Sequence, residues 1–279
     1  MKKPSGPKNT VELVAHLRAS LTELASHSSI VKLSPRDRKT LDSEMRGLVG
    51  DIGTLLSSLD PIRQPTAVFD PSAPKTIGRF VALALVSQRR LPISALEPFY
   101  GSGVYAIYYT GPFGLYAPIS GKETPIYVGQ AAPAQPNARN ATEQGAKLTS
   151  RLIEHRKNIS KATSTLDIAH FECRALVVQS GWETAAEDYL IHLFRPIWNS
   201  ETKILYGLGK HGDNPTTRAN KRSPWDTIHP ARQWAAATVE DAKTPLQIEE
   251  ELKTHFGHTR IYDALDDVLR DFVEELRQE

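Results

Sequence analysis

Apolar residues recur at helical spacing from Thr10 onward, in VELVAHLRASLTELASHSS. Leu13, Val14, Leu17, Leu21 and Leu24 form one stripe, with Asn9 or Thr10 placed to cap the helix. Ser34-Pro35 opens a second helical pattern that runs through LDSEMRGLVGDIGTLLSSLD to Pro61. The pair reads as a helical hairpin that packs on the main domain or on a second subunit. The proline-rich PIRQPTAVFDPSAPK leads to a third helix, IGRFVALALVSQ, which is apolar nearly all round and therefore expected to be buried. From residue 101 the period changes. GVYAIYY and IYV are short runs of β-branched and aromatic residues bounded by glycine, the pattern of strands. Between them FGLYAPI reads as another extended piece, able to widen the sheet as a hairpin, and Ser120-Gly121-Lys122 as a turn. Residues 131–146 are small and polar, a loop. LTSRLIEHRKNIS is helical, 167–179 reads as a central strand, and WETAAEDYLIHLF is a helix stopped by Arg195-Pro196. A basic, turn-rich tract follows, and from Pro245 the chain is helical and acidic.

These elements predict an α/β (α+β) fold, with a small, mostly antiparallel sheet flanked by helices. The expected division is an N-terminal helical extension over 1–60, a main domain over 61–235 with its core at 101–199 and a loop-rich tract at 200–235, and an acidic helical tail over 236–279. The chain has 279 residues, 40% hydrophobic and 24% charged, an ordinary globular composition. No apolar run approaches the roughly 18 residues of a membrane span, and the basic start MKKPSGPKNT leads into no apolar segment, so neither a span nor a secretory leader is expected. The lone Cys173 excludes an internal disulfide and a cysteine zinc site, and suits a reducing cytoplasm. Net charge is only +2. Nucleic-acid binding must therefore be sought in where charges sit. They gather in the tract after Asn199, where Lys203, Lys210, Arg218, Lys221, Arg222 and Arg232 outnumber Asp213 and Asp226. The acidic tail would repel DNA and is expected to point away from it or to meet protein.

Six residues carry candidate chemistry: Tyr105 and Tyr127 in the two strands, Arg151 and His155 four apart on one helix face, Glu187 on the next helix and Asn199 just past its end. Singly each has an ordinary role, since strand tyrosines pack and helix-face charges are solvated. Their order on strand, strand, helix, helix and loop resembles the GIY-YIG nuclease superfamily. Within it the chain is similar to restriction endonucleases of the Eco29kI type, through GVYAIYYTG, PIYVG, RLIEH, the Glu187 helix, RPIWN, GLGKH and WDTIHPARQW. The likeness spans about residues 65–235. The sequence departs from the superfamily in two ways. Gln130 stands where many members carry a lysine, and the insert between the tyrosine triplets is long.

The resemblance implies a sheet of GIY-YIG type and a type II restriction endonuclease. Such an enzyme hydrolyses phosphodiester bonds of double-stranded DNA at a short, GC-rich palindrome, acting as a homodimer with one Mg2+ per active site. A hard ion that keeps most of its waters needs few carboxylates, and Glu187 is the one the motif provides. Arg151 is expected on the scissile phosphate, whose oxygens its planar fork matches. Tyr105 would orient or deprotonate the water with His155 as its helper, Tyr127 would complete the network, and Asn199 would fix the loop behind the site or cap the helix. Base edges call for Arg, Asn or Gln in the major groove. Arg139, Asn140, Lys210, Arg218, Asn220 and Arg222 are the candidates, while His211, Asp226, His229 and Arg232 are placed to brace their tract. The dimer contact is expected from the N-terminal stripe. The rival readings are a repair or homing nuclease of the same superfamily and a catalytically impaired DNA-binding protein.

Overall fold

The structure is a computed structural model and describes residues 9–30, 33–59, 62, 69–179, 181–208, 221–232, 235, 238 and 240–278. The chain divides into two compact units, Met1–Val68 and Phe69–Glu279. The first holds α1 (Thr10–Ile30) and α2 (Pro35–Leu59). Asn9 caps α1, its Oδ1 accepting from the Glu12 amide at 2.9 Å, and Ser34 caps α2 in the same way through Asp37. Val11, Leu13, Val14, Leu17 and Leu24 stay exposed, and α2 buries no residue along its length.

The second unit is built on a four-stranded antiparallel sheet, in the order β1 (Leu91–Pro92), β4 (Phe171–Val177), β2 (Gly103–Tyr109), β3 (Tyr127–Ala131). Every residue of β2 is buried, as a central strand covered on both faces requires. Its alternation feeds two cores. Tyr105, Ile107 and Tyr109 face a layer formed with α5 (Lys147–Ile159), Trp198 and Trp225. Val104, Ala106 and Tyr108 face α3 (Pro74–Val86) and α6 (Glu183–Phe194). The loop 131–146 holds one short helical turn, α4 (Ala141–Gln144). Beyond the sheet lie α7 (Pro224–Ile228), the parallel pair β5 (Lys221–Arg222) and β6 (Glu240–Asp241), α8 (Pro245–His258) and α9 (Leu265–Gln278).

Two expectations are corrected. FGLYAPI is no strand: Gly114–Ile119 is a 3-10 helix that buries Tyr116 and Ile119, three apart on one side. The insert thus drops a tyrosine into the core instead of widening the sheet. Helix α3 is not buried all round either. Gly78, Arg79, Ala82, Leu85 and Val86 face inward, but Phe80 is 45% exposed and meets Phe272 of α9 edge-on. The acidic tail packs on the unit, with Val268 and Phe272 in the α3–α6 core. Each such side chain contributes about 1.5–3 kcal/mol of burial. Glu275 accepts from the Tyr189 hydroxyl at 3.0 Å and pairs with Arg79 at 3.4 Å.

Candidate active site

The register of β2 and β3 brings the two tyrosines together. Tyr105 pairs with Gly129 and Tyr127 with Ile107, so both side chains stand on one face, diagonal to each other. Their ring centroids are 6.0 Å apart. Gly129 is required by this packing: a Cβ there would stand 2.5 Å from the Tyr105 hydroxyl and 2.6 Å from Cζ. The third aromatic comes from α5. Leu148, Leu152, His155 and Ile159 form its buried stripe, so His155 is a core residue and not the solvated one its helix position suggests. Its ring lies 5.5 Å from that of Tyr105 and 4.8 Å from that of Tyr127. The Tyr105 hydroxyl and His155 Nε2 are 2.7 Å apart.

Burial and the Arg151 charge push His155 down to about 3, so its imidazole is neutral across the physiological range. Its Nδ1 has no hydrogen-bond partner. Burial holds Tyr105 well above the ordinary phenol value, with Tyr127 adding to it, and raises Tyr127 to about 12 with help from the Glu187 charge. Arg151 sits at the rim with its side chain 37% exposed, paired to Glu154 at 2.9 Å. A pair this open contributes at most about 1 kcal/mol, so a phosphate can displace Glu154.

Glu187, on α6, is near enough for its charge to raise both tyrosines. Burial raises its carboxyl to about 7, Glu201 and Asp188 push the same way, and hydrogen bonds from Gln130 oppose them. Asp188 lies round the helix, lining a cleft with Lys75, Arg79 and Glu275. Gln130 also donates to Thr184 Oγ1 at 3.1 Å, tying β3 to the first turn of α6. Asn199 is buried behind β3. Its Oδ1 accepts from the Val128 amide at 3.0 Å and its Nδ2 donates to the Val128 carbonyl at 2.9 Å, completing the backbone bonding of the residue next to Tyr127. It does not end the helix, because α6 is closed by the left-handed Arg195.

Tyr105, Tyr127 and His155 are thus in direct contact, the charges of Arg151 and Glu187 act on both tyrosines, and Asn199 braces β3 beside them. The carboxylate is the group able to hold a cation. Among the described residues no three His, Cys, Asp or Glu side chains gather as a metal cage. One half-buried carboxylate, raised by burial and by neighbouring carboxylates and so relieved by a cation, fits a hard divalent ion that keeps its waters.

The DNA-reading candidates are scattered. Arg139 and Asn140 are exposed on the loop before α4. Asn140 is occupied as its cap, accepting from the Glu143 amide at 2.9 Å. Arg222 pairs with Asp241 at 2.7 Å. Lys210, His211, Arg218 and Asn220 lie outside the described residues. Asp226, His229 and Arg232 are buried braces. Sequence reasoning missed a second set of supports. Ser102 Oγ donates to Glu183 Oε1 at 3.0 Å, and Gln144 bridges the Ser102 amide and the Val178 carbonyl at 2.9 and 2.8 Å. No local pattern marks these residues, because their partners lie 34 to 81 positions away.

Among known families, the one described as the Eco29kI GIY-YIG domain matches residues 97–256, more than half of the chain. No curated protein matches it.

Proposed function

The chain belongs to the Eco29kI GIY-YIG family and is a nuclease, and from that premise we propose a type II restriction endonuclease that cuts both strands of a short GC-rich palindrome. The observation that carries this is the 2.7 Å contact between the Tyr105 hydroxyl and a neutral, buried His155, beside Arg151 and Glu187. A phenol held above its usual pKa is a weak base alone. With an uncharged imidazole nitrogen in hydrogen-bond reach, Tyr105 can take a proton from the attacking water while passing its own to His155 Nε2. Arg151 exchanges Glu154 for the scissile phosphate and balances the charge that builds on its oxygens. Tyr127 closes the network around Tyr105, and Asn199 holds β3 in register beneath it.

Glu187 is the residue that would hold Mg2+, one ion per site. When bound, such an ion supplies Lewis-acid stabilisation of the phosphate and leaving oxygen. Gln130 supports this carboxylate without adding a charge, where many superfamily members place a lysine.

One such site cuts one strand, so cleaving both strands of a palindrome calls for two copies about a twofold axis. The exposed stripe Leu13, Val14, Leu17 and Leu24 of α1 is the surface we assign to that contact. Incubating the protein with plasmid or phage DNA and Mg2+ and mapping the ends tests the proposal. Discrete fragments with one shared end sequence support it. Structure-dependent nicks would favour a repair enzyme, and a gel shift without cleavage would favour a DNA-binding protein without activity. No described helix is long and apolar enough to cross a membrane.

A further inference from the structure

Three consecutive residues at the start of α6 are held from three sides. Glu183 is buried, and both of its carboxyl oxygens are used: Oε1 accepts from the Ser102 hydroxyl at 3.0 Å and Oε2 from the Gly181 amide at 2.7 Å. Thr184 Oγ1 accepts from Gln130 of β3 at 3.1 Å. Ala185 meets α3 backbone to backbone, so closely that a Cβ on Gly78 would stand 2.5 Å from the Ala185 carbonyl oxygen. Ser102 is itself a fixed anchor at the entrance to β2. It is fully buried, its amide donates to Gln144 Oε1 at 2.9 Å, and its carbonyl accepts from the Val178 amide at 2.9 Å.

Stability alone does not call for this arrangement. Helix α6 starts on Trp182, which makes no side-chain cap. A Ser or Asp there would satisfy the first turn with less desolvation than a buried acid suffers. What the Glu183 clamp adds is direction. Residues four apart share a helix face, so the bond that fixes Glu183 toward Ser102 also fixes the side of α6 on which Glu187 stands. Strand β3 is the edge of the sheet. Asn199 bonds the backbone of its Val128, and Glu187 accepts from the amide and side chain of Gln130, two residues on. A slide or roll of the first turn of α6 would move the Glu187 carboxyl off that edge.

We propose that Glu183 is a positioning residue for the cleavage reaction: clamped to Ser102 and Gly181, it fixes the first turn of α6 and so sets the place of the Glu187 carboxylate for its divalent ion. This rests on the nuclease proposal above and on the metal role given there to Glu187. Ser102→Ala removes the hydroxyl donor, and Glu183→Gln keeps the shape but loses one acceptor oxygen. Both are compared with the wild type and with Glu187→Gln in three measurements. The first is Mn2+ binding to the protein on a duplex whose mapped cut carries an uncleavable linkage, read by electron paramagnetic resonance. The others are single-turnover cleavage against Mg2+ concentration and melting temperature. Both variants should bind Mn2+ at least about tenfold more weakly and need at least about tenfold more Mg2+ for half-maximal rate. Saturating Mg2+ should restore most of the rate, and melting temperatures should stay within a few degrees of wild type. A purely structural role would lower the melting temperature and depress the rate alike at every Mg2+ concentration, leaving Mn2+ binding and the midpoint unchanged. Unchanged Mn2+ binding and midpoint in folded Ser102→Ala overturn the inference, even if Glu183→Gln fails to fold. Wild-type Mn2+ binding by Glu187→Gln would overturn it as well, by removing the ligand that Glu183 is said to place. If the wild type cuts no DNA, the nuclease proposal itself has failed, a result distinct from active protein with an unmoved metal dependence.

Discussion

Two tyrosine–histidine pairs are buried in this domain, and they differ in almost everything but composition. Tyr105 meets His155 Nε2 at 2.7 Å, and the Tyr116 hydroxyl meets His229 Nε2 at similarly close range. Burial pushes both histidines to about 3. His229 is fully satisfied, its Nδ1 bonded to Thr165 Oγ1 at 2.7 Å, and Tyr116 also accepts from the Trp198 indole at 3.0 Å. Its neighbours are the rings of Phe113, Trp198 and Trp225. His155 keeps an unpartnered Nδ1, and Arg151 and Glu187 act on the tyrosine beside it. A finished hydrogen-bond network in an apolar nest specifies structure. An unfinished one within reach of a guanidinium and a carboxylate is instead the mark of a candidate site for chemistry.

The largest effect expected is at the charged end of the first pair. Glu187→Gln should reduce cleavage by at least about a thousandfold, while metal-free DNA affinity is kept or tightened because a charge that repels phosphate is gone. Substantial Mg2+-dependent cutting by this variant would remove Glu187 from its role. Next, His155→Ala should lower the rate at least about a hundredfold, and adding Tyr105→Phe should worsen it little if the two act as a unit. Fully additive losses would show that they act separately. The second pair should respond in the other currency. His229→Ala should destabilise the fold by about 2–4 kcal/mol, read by denaturant unfolding, with cleavage per folded molecule within about threefold of wild type.

A further effect is expected in pH. With Glu187 near 7, cleavage at limiting Mg2+ should fall about tenfold per pH unit below that value, and more metal should move this limb to lower pH. The sign for stability is the reverse. A carboxyl whose folded pKa is raised from 4.5 to about 7 favours folding most fully below 4.5 and loses that contribution as pH rises through 7. The two histidines, with folded values depressed to about 3, favour folding above about 6.5, and that contribution is lost as pH falls toward 3.

Much of the first pair was legible in the sequence, because strand alternation and helical i, i+4 spacing are local signals. They place Tyr105, Tyr127, Arg151 and His155 on their elements before any fold is known. The burial of His155 was not legible, since it depends on the two tyrosine rings that cover it. Of the second pair only His229 was marked, as a brace of its tract, and its partner was hidden. Tyr116 and His229 are 113 residues apart, and FGLYAPI alternates well enough to pass for a strand. Its Pro118 and the fit of Tyr116 against Trp198 settle the 3-10 turn instead. Asn199 was found by its place after RPIW, but its two bonds to Val128 follow from tertiary packing. Arg222 looked free for DNA because Asp241, its partner, lies 19 residues on in a strand of only two residues.

The most direct measurement removes one oxygen from each pair. Tyr105→Phe and Tyr116→Phe are compared by single-turnover cleavage of the mapped site with saturating Mg2+, normalised to folded protein, with melting curves for both. Tyr105→Phe should lose at least about a hundredfold in rate and keep its melting temperature within a few degrees. Tyr116→Phe should stay within about threefold in rate and lose about 1–3 kcal/mol of stability, with the Trp198 indole and His229 left unpaired. Equal rate losses, or an active Tyr105→Phe, would contradict the assignment of chemistry to the first pair and structure to the second.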